Sequence, residues 1–232
     1  MLRTALVTAA LVGLSAPVAS AQDGGFRLPD GLGLEFGAGT DNRSKAASKT
    51  EGDAYAYGIV DWVASDQIYA SGSIEGVRSN GADWETKLLV GWTPQFAGFD
   101  LDINAAHKWL VDPLASADNG SWEFTANVSR SIGPASARLQ YQYSPDALGS
   151  TGSFSWVEAR IGWEFTPRLE GTAAVGRREQ RNSLDYTGWN IGATYAVTQN
   201  LDLDVRWYDT DVNLPADNKY DSTLVAEIRL AF

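Results

Sequence analysis

The chain has one histidine, His107, and no cysteine, so little of it is equipped for nucleophilic or metal chemistry. A hydroxyl two residues beyond the histidine would pair a base with a nucleophile, but the residues read His107-Lys108-Trp109. No Asp-x-His or His-x-Asp supplies an acid partner either. Asp209-Thr210-Asp211-Val212-Asn213 begins like a calcium loop. The required glycine is Leu214 and the bidentate glutamate is Tyr220, so it reads as a solvated acidic loop. Gly31-Leu32-Gly33-Leu34-Glu35-Phe36 fails a dinucleotide fingerprint at Phe36 and opens a strand instead of a helix. The sequence thus implies no catalytic residue, no metal and no cofactor, and the expectation is a protein that is not an enzyme. The remaining chemistry is ionic: acids and bases recurring at every second position.

That period of two organises the chain. Phe99 to Asn104 alternates apolar and polar residues, and Trp122 to Val128, Ala137 to Tyr143 and Leu201 to Trp207 repeat the pattern. Segments of this kind near 31–41, 54–64, 68–77, 84–93, 99–109, 121–130, 135–144, 154–165, 169–177, 186–197, 201–208 and 220–232 predict twelve strands. The connections alternate: short ones near 64–67, 94–98, 131–134, 166–168 and 198–200 against mostly longer, polar ones at 42–53, 78–83, 110–120, 145–153, 178–185 and 209–219. One parity is nearly free of charge, as in Leu88, Val90 and Trp92. The other carries Glu85, Lys87, Asp102, Glu123, Arg138, Glu158, Arg160, Asp204, Arg206, Glu227 and Arg229, expected to line an interior. Apolar-parity aromatics gather at both strand ends, Trp62, Trp92 and Trp163 at one and Trp84, Trp122 and Trp207 at the other, as interfacial girdles do. The fold class expected is all-β: a transmembrane, antiparallel, up-and-down β-barrel of about twelve strands at 31–232.

The ends and totals agree with export. Arg3, an apolar stretch from Ala5 to Val18 and the small residues Ala19-Ser20-Ala21 read as a signal peptide at 1–21, cleaved before Gln22, with 22–30 a periplasmic N-terminal segment. No later stretch approaches the roughly 20 apolar residues of a membrane helix. The formal charge of −11 argues against nucleic acid as a partner.

Leu224 to Phe232 alternates to its last residue and resembles the C-terminal strand of bacterial outer-membrane proteins. That likeness implies outer-membrane lipid and the barrel assembly machinery, acting through Phe232, as partners in a Gram-negative cell. Gly39-Thr40-Asp41-Asn42-Arg43, Thr50-Glu51-Gly52-Asp53-Ala54 and Ile68-Tyr69-Ala70-Ser71-Gly72 together resemble the opening of the TorF-like porin family. The likeness implies a bacterial outer-membrane barrel. Twelve strands spaced about 4.8 Å and tilted about 40° give a backbone diameter of roughly 24 Å. With no connection looking like a plug, the expectation is a narrow aqueous pore for small hydrophilic solutes whose acidic excess favours cations. The alternative is a sealed barrel acting through its extracellular loops. Glu158 is expected to pair with Arg138, and Arg206 with Glu227.

Overall fold

The computed structural model describes residues 28–115, 118–148, 151–214 and 218–232; the expected signal peptide lies outside them. Twelve strands follow in order: β1 Leu32–Gly39, β2 Tyr55–Val63, β3 Ile68–Ser79, β4 Ala82–Trp92, β5 Phe99–Val111, β6 Gly120–Ile132, β7 Ala135–Ala147, β8 Gly152–Thr166, β9 Leu169–Gln180, β10 Tyr186–Ala196, β11 Leu201–Thr210 and β12 Thr223–Ala231. Each runs antiparallel to its chain neighbour, and β12 pairs back onto β1 through Phe36↔Leu230 and Ala38↔Ile228. The ring is therefore closed, which leaves no strand edge with unpaired backbone groups.

Closure settles which parity faces in, something alternation alone leaves open. Leu88 and Val90 point outward with 58% and 61% of their surface exposed, while Glu85, Asp102 and Glu123 between such positions are buried inside. Trp62, Trp92 and Trp163 are exposed on the outer face at the short-turn end, and Trp84, Trp122 and Trp207 at the other end. His107 belongs to that outer face, its ring 4.9 Å from Trp122 and 5.7 Å from Trp109.

Two connections differ from the expected lengths. The turn expected over 78–83 is only Asn80-Gly81, with φ of 51° and 80°, joining Ser79 to Ala82. A two-residue loop with both φ positive matches strand twist, and Asn-Gly is the pair best suited to it. Strands β7 and β8 also run on until Ala147 pairs with Gly152, which shortens the loop expected over 145–153.

The interior holds aromatic rings as well as charges, and several of the rings lie over a glycine of a neighbouring strand. A Cβ on Gly37 would stand 2.3 Å from the Tyr57 ring, on Gly91 2.1 Å from Tyr69, and on Gly176 2.2 Å from Trp156. These glycines have ordinary strand backbones, so the space they leave is their contribution. Gly91→Val should displace Tyr69, whose hydroxyl donates to Asp102 at 3.1 Å, and cost about 1–3 kcal/mol by overpacking. A lower urea midpoint of the heat-modifiable band in detergent would show this; an unchanged midpoint would refute the packing.

Candidate functional site

The segment from Asp41 to Asp53, between β1 and β2, does not stand out from the barrel but folds into its mouth. Its core is a hairpin in which Arg43↔Ser48 and Ser44↔Ala47 pair around Lys45-Ala46, with φ of 55° and 65°. Left-handed backbone at two residues with side chains is costly and needs support from its surroundings. Asp41 supplies much of it, accepting from Arg43 Nε at 2.5 Å, Ser48 Oγ at 2.5 Å and Thr50 Oγ1 at 2.8 Å. Arg43 reaches on to the Asp221 carbonyl at 2.9 Å and the Thr223 hydroxyl at 2.7 Å, which ties the hairpin to the entry of β12.

The hairpin is seated at two places across the mouth. On one side Glu75 of β3 faces Glu85 of β4 in register, and like charges so placed repel. Lys49 lies between them, bonded to Glu75 and to Glu85 at 2.9 Å, while Asn42 Nδ2 donates to Glu75 at 3.0 Å and to the Gly76 carbonyl at 2.9 Å. On the other side Ala47 packs among Phe154, Trp156, Tyr186 and Tyr220, and the Tyr186 hydroxyl donates to the Lys45 carbonyl at 3.0 Å. Gly188 of β10 makes this approach possible, since a Cβ there would lie 2.5 Å from that of Ala46. Burial pushes the Lys45 ammonium down to about 7, against the pull of Glu123. Burial acts the same way on Lys49, but Glu75 and Glu85 outweigh it and hold that ammonium above its ordinary value. The expectation that no connection acts as a plug is therefore corrected: this loop brings Arg43, Lys45 and Lys49 into the interior.

Beneath the hairpin lies a cavity of about 340 Å³, bordered by Glu85, Lys87, Glu123, Arg138, Glu158, Asp204 and Glu227. Asp102, Arg160, Arg206 and Arg229 also sit on the inward parity, outside that border. Arg138 and Arg160 are opposite each other across β7 and β8 and share Glu158, at 2.7 and 3.4 Å. Lys108 joins Glu123 at 2.9 Å to Glu85 at 3.6 Å. Arg229 pairs with Asp202 at 3.0 Å. Glu158 thus has its expected partner, whereas Arg206 does not. Register sets Asp204, not Arg206, opposite Glu227. Arg206 turns to Asp204 at 3.0 Å and to Thr172 and Asn190, while Glu227 accepts from Tyr55 at 2.5 Å and Tyr57 at 3.1 Å. These interior tyrosines were legible only as aromatics on the polar parity.

Residues 41–232 match a family described as bacterial protein of unknown function, Gcw_chp. The chain belongs to this family. The matched span takes in the inserted hairpin and every strand except β1. No curated protein matches the chain in sequence. Among solved structures the Gcw_chp chain is similar to the KdgM porin, with a TM-score of 0.60, 8% identity, 86% of this chain covered and 99% of that one. It is similar to the NanC porin at 0.60 and 9% identity, over 87% and 98% of the two chains. A COG4313 outer membrane channel from Pseudomonas putida F1 follows at 0.54 and 11% identity, over 91% and 99%. At such identities the likeness is one of fold: the closed barrel of the outer-membrane porins.

Two expected outcomes test the seat. Asp41→Asn strands Arg43, whose side chain is 1% exposed, and should weaken the seat by roughly 3–5 kcal/mol, speeding proteolysis within 43–50. A released loop returns Lys45 to its ordinary 10.5, so the seated form binds fewer protons and tightens as pH rises from about 7 towards 10.5. Digestion by a protease active throughout that range should slow with rising pH, and Lys45→Met should flatten the trend. A pH-independent rate in the unaltered chain would contradict it.

Proposed function

We propose that this Gcw_chp protein is an outer-membrane channel for small hydrophilic solutes. The observation that carries the reading is the inverted polarity of a closed ring: an apolar outer face with exposed Trp at both ends, around an interior of charges and a polar-walled cavity. A soluble barrel would place the charges outside. An apolar belt of this kind matches a bilayer's hydrocarbon layer, and water in the lumen keeps paired charges there tolerable. The fold shared with KdgM and NanC supports the reading, as does the TorF-like opening of the sequence. The alternating C-terminal strand ending at Phe232 fits recognition by the barrel assembly machinery.

The eleven inward residues named from the sequence then act as the lining that tunes the pore's field. The acidic excess is offset near the mouth by Arg43, Lys45 and Lys49, so it acts mainly through the short-turn half, where Asp100, Asp102, Glu164 and Glu170 sit on the inward parity. A modest cation preference is the consequence. The fully seated hairpin favours one rival, a sealed barrel that works through its surface loops.

Reversal potentials of the purified protein in a planar bilayer under a salt gradient separate these readings. Asp102→Asn combined with Glu123→Gln should lower cation preference, and Lys49→Gln should raise it by leaving Glu75 without its ion pair and Glu85 with Lys108 alone. Unchanged potentials would remove the lining assignment, and the absence of any current would favour the sealed barrel.

A further inference from the structure

The charges around the cavity are unevenly partnered: both signs alternate and pair along β4 to β8, while one wall carries carboxylates without a cation in contact. On β12, β1 and β2, Glu227, Glu35 and Asp61 all border it, and among the described residues none has a lysine or arginine within 4 Å. Tyrosine hydroxyls serve the first two: Tyr55 and Tyr57 donate to Glu227, and Tyr57 to Glu35 at 2.9 Å. Asp61 Oδ1 is buried with no hydrogen-bond partner. The one cation of this wall, Arg229, is bonded to Asp202 and attracts Glu35 only from beyond 4 Å.

The facing wall holds a small cationic surplus, two guanidiniums to one carboxylate. In a ring of twelve, β7 lies six strands from β1, and β8 six from β2. There Arg138 and Arg160 divide a single carboxylate, Glu158: Arg138 Nε is buried without an acceptor, and Arg160 Nε lies 3.4 Å from Glu158 without forming a hydrogen bond to it. Lys87 of β4, a quarter of the ring from both β1 and β7, borders the same cavity with no carboxylate within 4 Å among the described residues. Hydroxyl donors on one side and unsatisfied guanidinium N–H groups on the other mark both walls as sites for a charged visitor, not as finished ion pairs.

We propose that the cavity selects zwitterionic solutes, orienting each across the lumen with its carboxylate toward Arg138 and its ammonium toward Glu35, Asp61 and Glu227. This rests on the channel reading above. A zwitterion meets both walls with complementary charge as it sheds water at the narrow level. A solute with one charge is attracted by one wall and repelled by the other, and a neutral one gains from neither. Short peptides, whose terminal charges stand several bonds apart, have the right form for a lumen of this width.

The probe is glycylglycine against N-acetylglycylglycinamide, a neutral compound with the same backbone, loaded into liposomes carrying the full barrel and assayed for efflux. The singly charged N-acetyl and C-amide forms complete the set. The zwitterion should leave faster than the neutral compound by on the order of tenfold, with both singly charged forms slower than the zwitterion. Arg138→Gln and Glu227→Gln should each bring the ratio of zwitterion to neutral efflux towards one. If either variant lacks the heat-modifiable band of the folded barrel, Glu35→Gln takes its place. Equal efflux of zwitterion and neutral compound through a conducting barrel would overturn the proposal and leave the channel reading standing. No efflux of any of the four would overturn both.

Discussion

Closure of the ring governs everything else in the molecule. Once β12 pairs with β1, each strand must divide its residues between outside and inside, and the outside is apolar. Every charge on a strand's polar parity is then forced inward, where its partners are restricted to what register and the loop can bring. Glu75 facing Glu85, Arg138 facing Arg160 and Asp204 facing Glu227 are like-charged neighbours created by that constraint. Each is resolved differently: by Lys49 inserted from the loop, by a shared Glu158, and by a division of labour between Arg206 and the tyrosines Tyr55 and Tyr57.

The inserted hairpin follows from the same logic. Two carboxylates opposed across β3 and β4 near the mouth create a place for a cation, and Lys49 occupies it. The aromatic cluster around Trp156 and Tyr186 offers the other half of the seat, an apolar patch facing the charged one. The loop's strained Lys45-Ala46 turn is held in place by these contacts and by the buried Asp41–Arg43 pair.

Much of the barrel was legible because its signal is local. Leu101, Asp102 and Ile103 announce a strand by themselves, and all twelve segments fall on the strands observed, with ends displaced by a few residues. The Asn80-Gly81 turn was equally local, and reading the region as a longer loop overlooked the dipeptide's preference for left-handed backbone. The hairpin's inward fold was not legible, since its partners lie far along the chain: Glu75 is 26 residues from Lys49, and Tyr186 is 141 from Lys45. A hint was available, in that three of a mostly acidic chain's bases fall within Arg43 to Lys49. The Arg206–Glu227 pairing failed because parity names a face but not a register. A shift of two residues keeps every side chain on its face while changing every partner.

The central claim is that the barrel conducts and that the segment Asp41–Asp53 sets its width. Single-channel recording of the intact chain beside one in which residues 44–48 are replaced by two glycines addresses it directly. Small discrete steps from the intact barrel and steps several times larger from the shortened one are the expected result. Identical steps from both would show that the hairpin does not limit the pore, and two silent, folded barrels would show that there is no pore to limit.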